Sequence, residues 1–546
     1  MKLLSLQDGP VFFKGRVSFL YSRVMLIIIF SGVLSSCGGG SGGDGNNNKN
    51  SFVPPGNNVV SGWSKGVFLK PDTFANKCAS PRTGINPATN NVYADKSGTS
   101  VDEKNFLRSW SNDTYLWYSE ISDINPQTIA NTRDYFSVLK TNAKTASGNN
   151  KDNFHFTYTT ADWYALSETG VSAGYGVEFS QISTTVPRNI VVAYTEPESP
   201  AANANLLRGT KLLKVDGYDL VSATDSASIN KLNAGLYPQT IGEVHTFVVQ
   251  DVGSPTTRSI VMQSSSVTKT PVQNVKTLDT PTGKVGYILF NDHIRTAERG
   301  LYDAVNQLAT QGIQDLVLDI RYNGGGYLYI ASELAFMIAG SAATSGKVFE
   351  KTVFNDKHNT TGLFGEPLSP TPFYDGSNDI GGALPSLNLS RVFVITSGDT
   401  CSASEAVING LRGVGVEVIQ IGAKTCGKPY GFYPQDNCGT TYFTIQFKGV
   451  NNKGFGEYSD GFIPGAVDNG MDLIKGCNVG DDLSHVLGDP AERNLATALH
   501  YRATGSCALT SGVADFKLQK LRVADDLADV TGSLGKAPGL TNRIMR

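Results

Sequence analysis

The stretch CSASEAVINGLRGVGVEVIQIGAKTCGK, residues 401–428, decides how the rest of the chain is read. The apolar segment 391–396 predicts a strand, and Ser402 follows it in a Thr-Cys-Ser-Ala-Ser-Glu run that opens a helix. A helix start suits a nucleophile, because its free N–H groups and positive dipole end stabilise nearby negative charge. A second apolar run, 416–421, leads to Lys428 in a Gly-Lys-Pro loop able to return the amine to the serine. A serine hydroxyl needs a base, and a lysine serves when desolvated. Lys424 is a rival for that role, and the Cys401 thiol is a rival nucleophile.

Upstream, strands and helices alternate as in an α/β core. A strand at 285–290 precedes helical spacing at Leu301, Ala304, Val305 and Leu308, and a second, continuous apolar strand covers 316–320. It ends at Arg321-Tyr322-Asn323-Gly324-Gly325-Gly326, and a helix is expected over 327–339. Glycines after a strand leave backbone N–H groups uncovered, so the turn reads either as an oxyanion site or as a tight connection. Residues 341–390, rich in Gly, Ser, Pro and Asn, read as a long excursion over the active face. Downstream, 441–447 alternates as a half-buried strand would, and 492–501 reads as a last helix. The tail beyond Cys507 shows no usable periodicity.

Residues 171–265 carry another pattern. Gly174-Tyr175-Gly176-Val177 is a glycine-bearing loop entering a strand; a Ser-Pro-Ala-Ala run at 199–202 and a strand ending in Val215-Asp216-Gly217 follow. This succession resembles a PDZ domain, whose glycine loop offers N–H groups to a peptide's terminal carboxylate while the next strand edge pairs with the peptide. Between Cys78 and Thr160, Phe106, Leu107, Trp110, Tyr115, Tyr135, Phe136 and Leu139 recur at helical spacings, which predicts a small helical support domain.

At the N-terminus, Arg16 and Arg23 flank the apolar run 24–30, and Leu34-Ser35-Ser36-Cys37 follows. This reads as an export signal, too short to span a bilayer, for which ~20 apolar residues are needed. The residues before Arg16 are more than such a signal requires. The Leu-Ser-Ser-Cys ending looks like a bacterial lipobox, which implies cleavage before Cys37 and lipid attachment to it. The Gly- and Asn-rich residues that follow read as a tether.

A length of 546 residues with 40% hydrophobic content allows two or three domains with a sizeable core. A net charge of −3 without a basic block gives no reason to expect nucleic acid. Six cysteines remain after Cys37, an even number that fits disulfides in an exported chain. Cys426 and Cys438 bracket a turn-like segment and form the first candidate pair. No CxxC pair or histidine at ligand spacing marks a metal site. His155 and His293 belong to no recognisable motif, and no GxSxG elbow surrounds Ser402.

With the PDZ-like stretch ahead of them, the 319–326 segment, the Ser402-Ala403-Ser404-Glu405 segment and the Gly427-Lys428 pair resemble, in family order over roughly residues 100–500, the C-terminal processing, or tail-specific, serine peptidases. The resemblance implies an α/β core of ClpP/crotonase-like ββα units, with Ser402 as nucleophile and Lys428 as general base. It implies the N–H groups of Ala403 and Gly325 as oxyanion donors, Gly174, Tyr175, Gly176 and Val177 as the peptide-binding loop, and no cofactor. Lys428 then has to be largely buried, since its amine must lose roughly three units to accept a proton at neutral pH.

Phe432 stands where family members often carry an orienting glutamine; Lys428 lies one residue farther from the serine than usual, and Pro429 replaces a glycine. These departures leave the orienting residue open, with Gln435 near in sequence, and keep a catalytically inactive peptide-binding protein as the alternative. The expected organisation is a signal at 1–36, a tether at 37–77, a helical domain at 78–165, a PDZ-like domain at 166–268, the peptidase core at 269–508 and a tail at 509–546. The expected setting is the bacterial cell envelope, lipid-anchored at its periplasmic or outer-membrane face. The expected partners are proteins or peptides with free C-termini.

Overall fold

The computed structural model describes residues 63–508, apart from 88, 89, 146 and 378, and the backbone of Asn542–Ile544. The signal, Cys37, most of the tether and most of the tail lie outside the described residues.

Helix α1 (Ser100–Thr114) begins at Thr99, whose side chain accepts from the Asp102 N–H while the Asp102 carboxylate accepts from the Thr99 N–H. This reciprocal pairing satisfies two of the helix's orphan donors. Its apolar face, Phe106, Leu107 and Trp110, packs on Tyr135 and Phe136 of α2 (Thr132–Ser137). The aromatic spacing is therefore core packing. Strand β1 (Phe156–Thr159) and helix α3 (Thr160–Thr169) follow.

A second layer is built from β2 (Val177–Ser183), β3 (Asn189–Thr195), β4 (Lys211–Val215), α4 (Ser226–Leu236), β5 (Val244–Gln250) and β6 (Arg258–Gln263). Its antiparallel order is β6-β5-β4-β3-β2, with β2 at the edge. The Asp216-Gly217 turn returns the chain from β4 to Tyr218–Asp219. Val192, Leu212, Val215, Phe247 and Val249 pack with Ile229 and Leu232 of α4 into a core of their own.

The main sheet comprises β7 (Val272–Thr280), β8 (Gly283–Phe290), β9 (Asp315–Asp319), β12 (Arg391–Thr396), β13 (Glu417–Gly422), β18 (Leu473–Asn478) and β17 (Ile463–Gly465), in that spatial order. Only the β7–β8 pair is antiparallel. The intervening elements are α5 (Ala297–Gln311), β10 (Gly325–Tyr327), α6 (Leu328–Ala339), β11 (Val348–Val353), α7 (Ala403–Gly413), β14 (Tyr430–Gly431), β15 (Thr440–Phe443) and β16 (Phe447–Val450). Helix α8 (Arg493–Thr504) starts at Glu492, whose side chain accepts from the Leu495 N–H.

Strand alternation sorts the core residues. Leu316, Leu318, Val392, Val394 and Val418 face α5, α6 and α7, whereas Val317, Phe393, Ile395 and Ile419 face α8. Coverage on both faces explains why these strands read as continuous apolar runs. Each fully buried Leu or Val contributes about 1.5–3 kcal/mol relative to exposure.

Two local expectations are corrected. The 341–390 excursion contributes β11, which pairs with β16 and Thr371–Pro372. Residues 441–447 are buried on both sides because β15 is covered by Phe136 and Trp163 as well as by its β1 neighbour.

Candidate functional site

The parallel strands β9, β12 and β13 release three loops at their carboxyl ends, the position where open α/β sheets place ligands. Main-chain and hydroxyl bonds lace these loops together. Thr400 Oγ1 donates to Ile320 O at 2.9 Å, the Cys401 N–H to Asn323 O at 3.1 Å, and the Cys426 N–H to Thr400 O at 3.0 Å. Ser404 Oγ also donates to Asn323 O at 2.9 Å. The glycine turn, the serine turn and the lysine loop therefore form one assembly.

Ser402 sits between β12 and α7 with φ +61° and ψ −113°. A positive φ is strained for a serine, and such strain persists only where surroundings enforce it. Although the sequence lacks GxSxG, the backbone makes a sharp strand-to-helix turn. Ser402 is fully buried, and its Oγ has no hydrogen-bond partner among the described residues. Ala403, the next residue, is the first of α7, where helix geometry leaves the N–H without an intrahelical acceptor.

The enforcing group is Glu405, to which no sequence motif assigns a role. Its fully buried carboxylate accepts from the N–H groups of Ser402 (2.9 Å), Gly427 (2.9 Å) and Lys428 (2.8 Å) and from Thr425 Oγ1 (2.6 Å). Burial raises its pKa, and the four donors oppose that shift. One side chain thus holds the backbone of both candidate catalytic residues. Gly427, at φ +88°, approaches so closely that a Cβ there would lie 2.4 Å from Ser459 O.

Lys428 is fully buried, and burial lowers its pKa from 10.5 to about 7, with the charges of Asp152 and Glu405 opposing the shift. Its Nζ lies 4.3 Å from the ring centroid of Phe432 and 4.8 Å from that of Phe154. Asp152 is fixed by the Tyr115 hydroxyl at 2.7 Å. Phe432 therefore lines the amine's pocket, while Gln435 pairs with Tyr442 on β15. Lys424 is only partly buried.

The disulfide candidate Cys426–Cys438 is overturned. Cys426 is bonded to Cys401, with Cα atoms 5.2 Å apart, Cys438 to Cys78, and Cys477 to Cys507. The turn bracketed by Cys426 and Cys438 carries them apart: Cys426 stays beside the serine turn and Cys438 reaches the segment ahead of α1. The Cys401–Cys426 bond also removes Cys401 as a thiol nucleophile. It occupies the sulfurs of the Cys401, Glu405 and Cys426 cluster, which is otherwise compact enough for a metal.

Gly325 lies beside this assembly, and its N–H donates to Asn323 Oδ1 at 2.9 Å. The same oxygen receives His293 Nδ1 at 3.0 Å. His293 is fully buried, which lowers its pKa to about 3 and keeps the ring neutral. His155 is buried between Phe136 O and Thr444.

In the second layer, Tyr175 is buried and donates to Gly235 O at 3.1 Å, Gly176 O accepts from the Glu196 N–H at 2.8 Å, and Val177 begins the edge strand β2. Arg208 fastens this layer to the core, donating to the Tyr322 hydroxyl and to Asp481, each at 2.6 Å. Asp481 in turn accepts from Arg321, which is buried among Asp319, Asp481 and Glu492.

A strand-turn-helix serine and a buried lysine whose backbones one carboxylate holds, on a mostly parallel sheet, define a candidate serine-type hydrolase centre. Residues 284–432 match the model described as peptidase family S41. The carboxyl-terminal-processing protease of Picosynechococcus sp. is 25% identical over 264 residues, covering 48% of this chain and 56% of that protein. The chloroplastic carboxyl-terminal-processing peptidase 1 of Arabidopsis thaliana is 28% identical over 241 residues, 42% of each. The chain spans about half the length of these curated relatives. A crystal structure of an S41 protease from Bacteroides fragilis shares the fold, with a TM-score of 0.55 at 21% identity over 73% of this chain and 97% of that one. The core of the chain is thus similar to peptidase family S41 and to carboxyl-terminal-processing proteases.

Proposed function

We propose that the protein is a serine endopeptidase of the cell envelope that cleaves protein chains through an acyl-enzyme on Ser402. The observation that carries this reading is the fully buried Lys428 amine, brought to about 7 by burial and tied through Glu405 to the backbone of an unpartnered serine. In its neutral form Lys428 takes the Ser402 proton as Oγ attacks the scissile carbonyl; it then returns that proton to the leaving amine, and water releases the acyl group. The Ala403 N–H and a glycine N–H of the 324–326 turn receive the oxyanion. For Gly325 this means exchanging its bond to Asn323. Two such donors stabilise a tetrahedral intermediate by a few kcal/mol in a dry cleft.

Phe432, at the family's glutamine position, supports turnover rather than loss of it, because with Phe154 it keeps the lysine desolvated. The layer at 166–268 is read as PDZ-like: the edge strand β2 and the loop from Gly174 to Val177 offer the main-chain groups by which such a domain holds a peptide's C-terminal end. Residues 78–165 are read as a support domain that also brings Phe154 and Asp152 to the lysine. The lipobox-like Cys37 motivates a lipid-anchored setting.

Wild type and Ser402→Ala, incubated with an unfolded protein bearing an apolar C-terminus, test the function. Internal fragments made by wild type alone, identified by mass, are expected; equal fragmentation by both would remove Ser402 as the nucleophile.

A further inference from the structure

The backbone segment Asn542–Ile544, strand β19, pairs in parallel with β10: Gly325 with Asn542, Gly326 with Arg543 and Tyr327 with Ile544. It also lies against β14, which begins two residues beyond Lys428, and against α7, which follows Ser402. The elements carrying the glycine turn, the serine and the lysine loop thus all border one short strand from the distal end of the same chain.

The other side of β10 is already engaged. The His293 N–H donates to Gly325 O at 3.0 Å and the Tyr327 N–H to His293 O at 2.8 Å. Peptide groups alternate along a strand, so the main-chain groups of Gly326 face away from His293, toward β19. A side chain at 326 is excluded: a Cβ there would lie 2.4 Å from His293 O. The outer edge of β10 is therefore bare backbone, the surface that strand addition uses. With β19 in place, Ser402 and Lys428 are fully buried.

We propose that the outer edge of β10 is an acceptor for one extended peptide strand, and that Asn542–Ile544 is its resident occupant, excluding an added peptide from Ser402 while it is docked. The effect on hydrolysis rests on the peptidase reading; the docking does not. Three residues bind weakly on their own, but this segment is tethered. Cys507 is bonded to Cys477 on β18, and the 33 residues 509–541 lead from Ala508 to Asn542. That length reaches up to ~110 Å when extended, so span does not limit docking. A tethered strand competes at an effective concentration in the ~mM range.

The test uses the full chain with Arg543→Pro and Ile544→Pro together, since proline donates no N–H and whichever of the two faces β10 is lost. In a Ser402→Ala background, a labelled peptide copying residues 540–546 is expected to bind the proline variant ~10-fold more tightly than the native-tail protein. With Ser402 present, KM for an added peptide is expected to fall ~10-fold at unchanged kcat. Equal affinities and equal KM values overturn the proposal, provided the two proteins melt alike. Should no protein hydrolyse peptide while the binding difference persists, the peptidase reading fails and the docked strand stands. Should Ser402-dependent hydrolysis occur with neither quantity altered, the docked strand fails alone.

Discussion

The serine half and the lysine half of the site are built by different means. Ser402 is placed by its own neighbourhood: the preceding β12, the following α7, the Glu405 carboxylate three residues on and the disulfide at Cys401. Lys428 shares Glu405 for its backbone, yet its amine is conditioned by Phe154 and Asp152, more than 270 residues earlier in the chain. A nucleophile needs a strained turn and nearby donors, which a short segment supplies. A lysine base needs removal from water, which takes packing from elsewhere.

The comparison breaks most sharply if either side chain can be spared. Ser402→Ala and Lys428→Ala are each expected to lower the acylation rate by roughly 10³-fold or more, and the double variant to be no worse, because the pair acts as a unit. Single-turnover kinetics on a peptide substrate check this; loss in Lys424→Ala with Lys428→Ala unaffected would move the base. Next, Glu405→Gln strikes both halves at once, because its amide N–H₂ must face either the Ser402 and Lys428 N–H groups or the Gly427 N–H and the Thr425 hydroxyl. A rate loss of about 10²-fold with a lowered Tm is expected, since a buried unsatisfied donor costs about 1–3 kcal/mol.

A lysine that works as its free base makes kcat/KM rise with pH and level off above about 7. Phe154→Leu or Phe432→Gln admits water, raises the lysine's pKa and shifts that rise to higher pH, at a cost of roughly 10-fold near neutrality. An unshifted profile would show that the rings do not condition the amine. The same burial has a stability signature. Between about 7 and 10.5 the unfolded chain binds more protons than the folded one, so stability rises with pH across that window. Lys428→Met is expected to flatten the slope in denaturant titrations at several pH values. The smallest effect belongs to the Cys401–Cys426 bond: replacing both cysteines by serine is expected to lower the rate several-fold while leaving the fold intact.

What could be read from the sequence follows the same division. Ser402, the glycine turn and Lys428 each follow an apolar strand, and such local signals survive without a structure. Glu405 was within reach, because Ser402 and Glu405 have the spacing of a capping box. Phe154 and Asp152 left no trace, since nothing in their surroundings points 270 residues downstream. The Cys426 pairing failed for a related reason: closeness along a turn outweighed the nearness of the two loop ends that flank α7 and β13. The strand at Asn542–Ile544 is too short for any period to mark it.

The three disulfides also differ in what closing them costs. Cys401–Cys426 and Cys477–Cys507 close loops of 25 and 30 residues, whereas Cys78–Cys438 spans 360. By chain entropy alone the long closure costs about 2 kcal/mol more than either short one. This long bond joins the segment ahead of α1 to the turn that leads into β15, next to the β1–β15 pairing. The serine turn thus has a short, inexpensive clasp of its own, whereas the clasp nearest the lysine's dry surroundings must draw together distant parts of the chain.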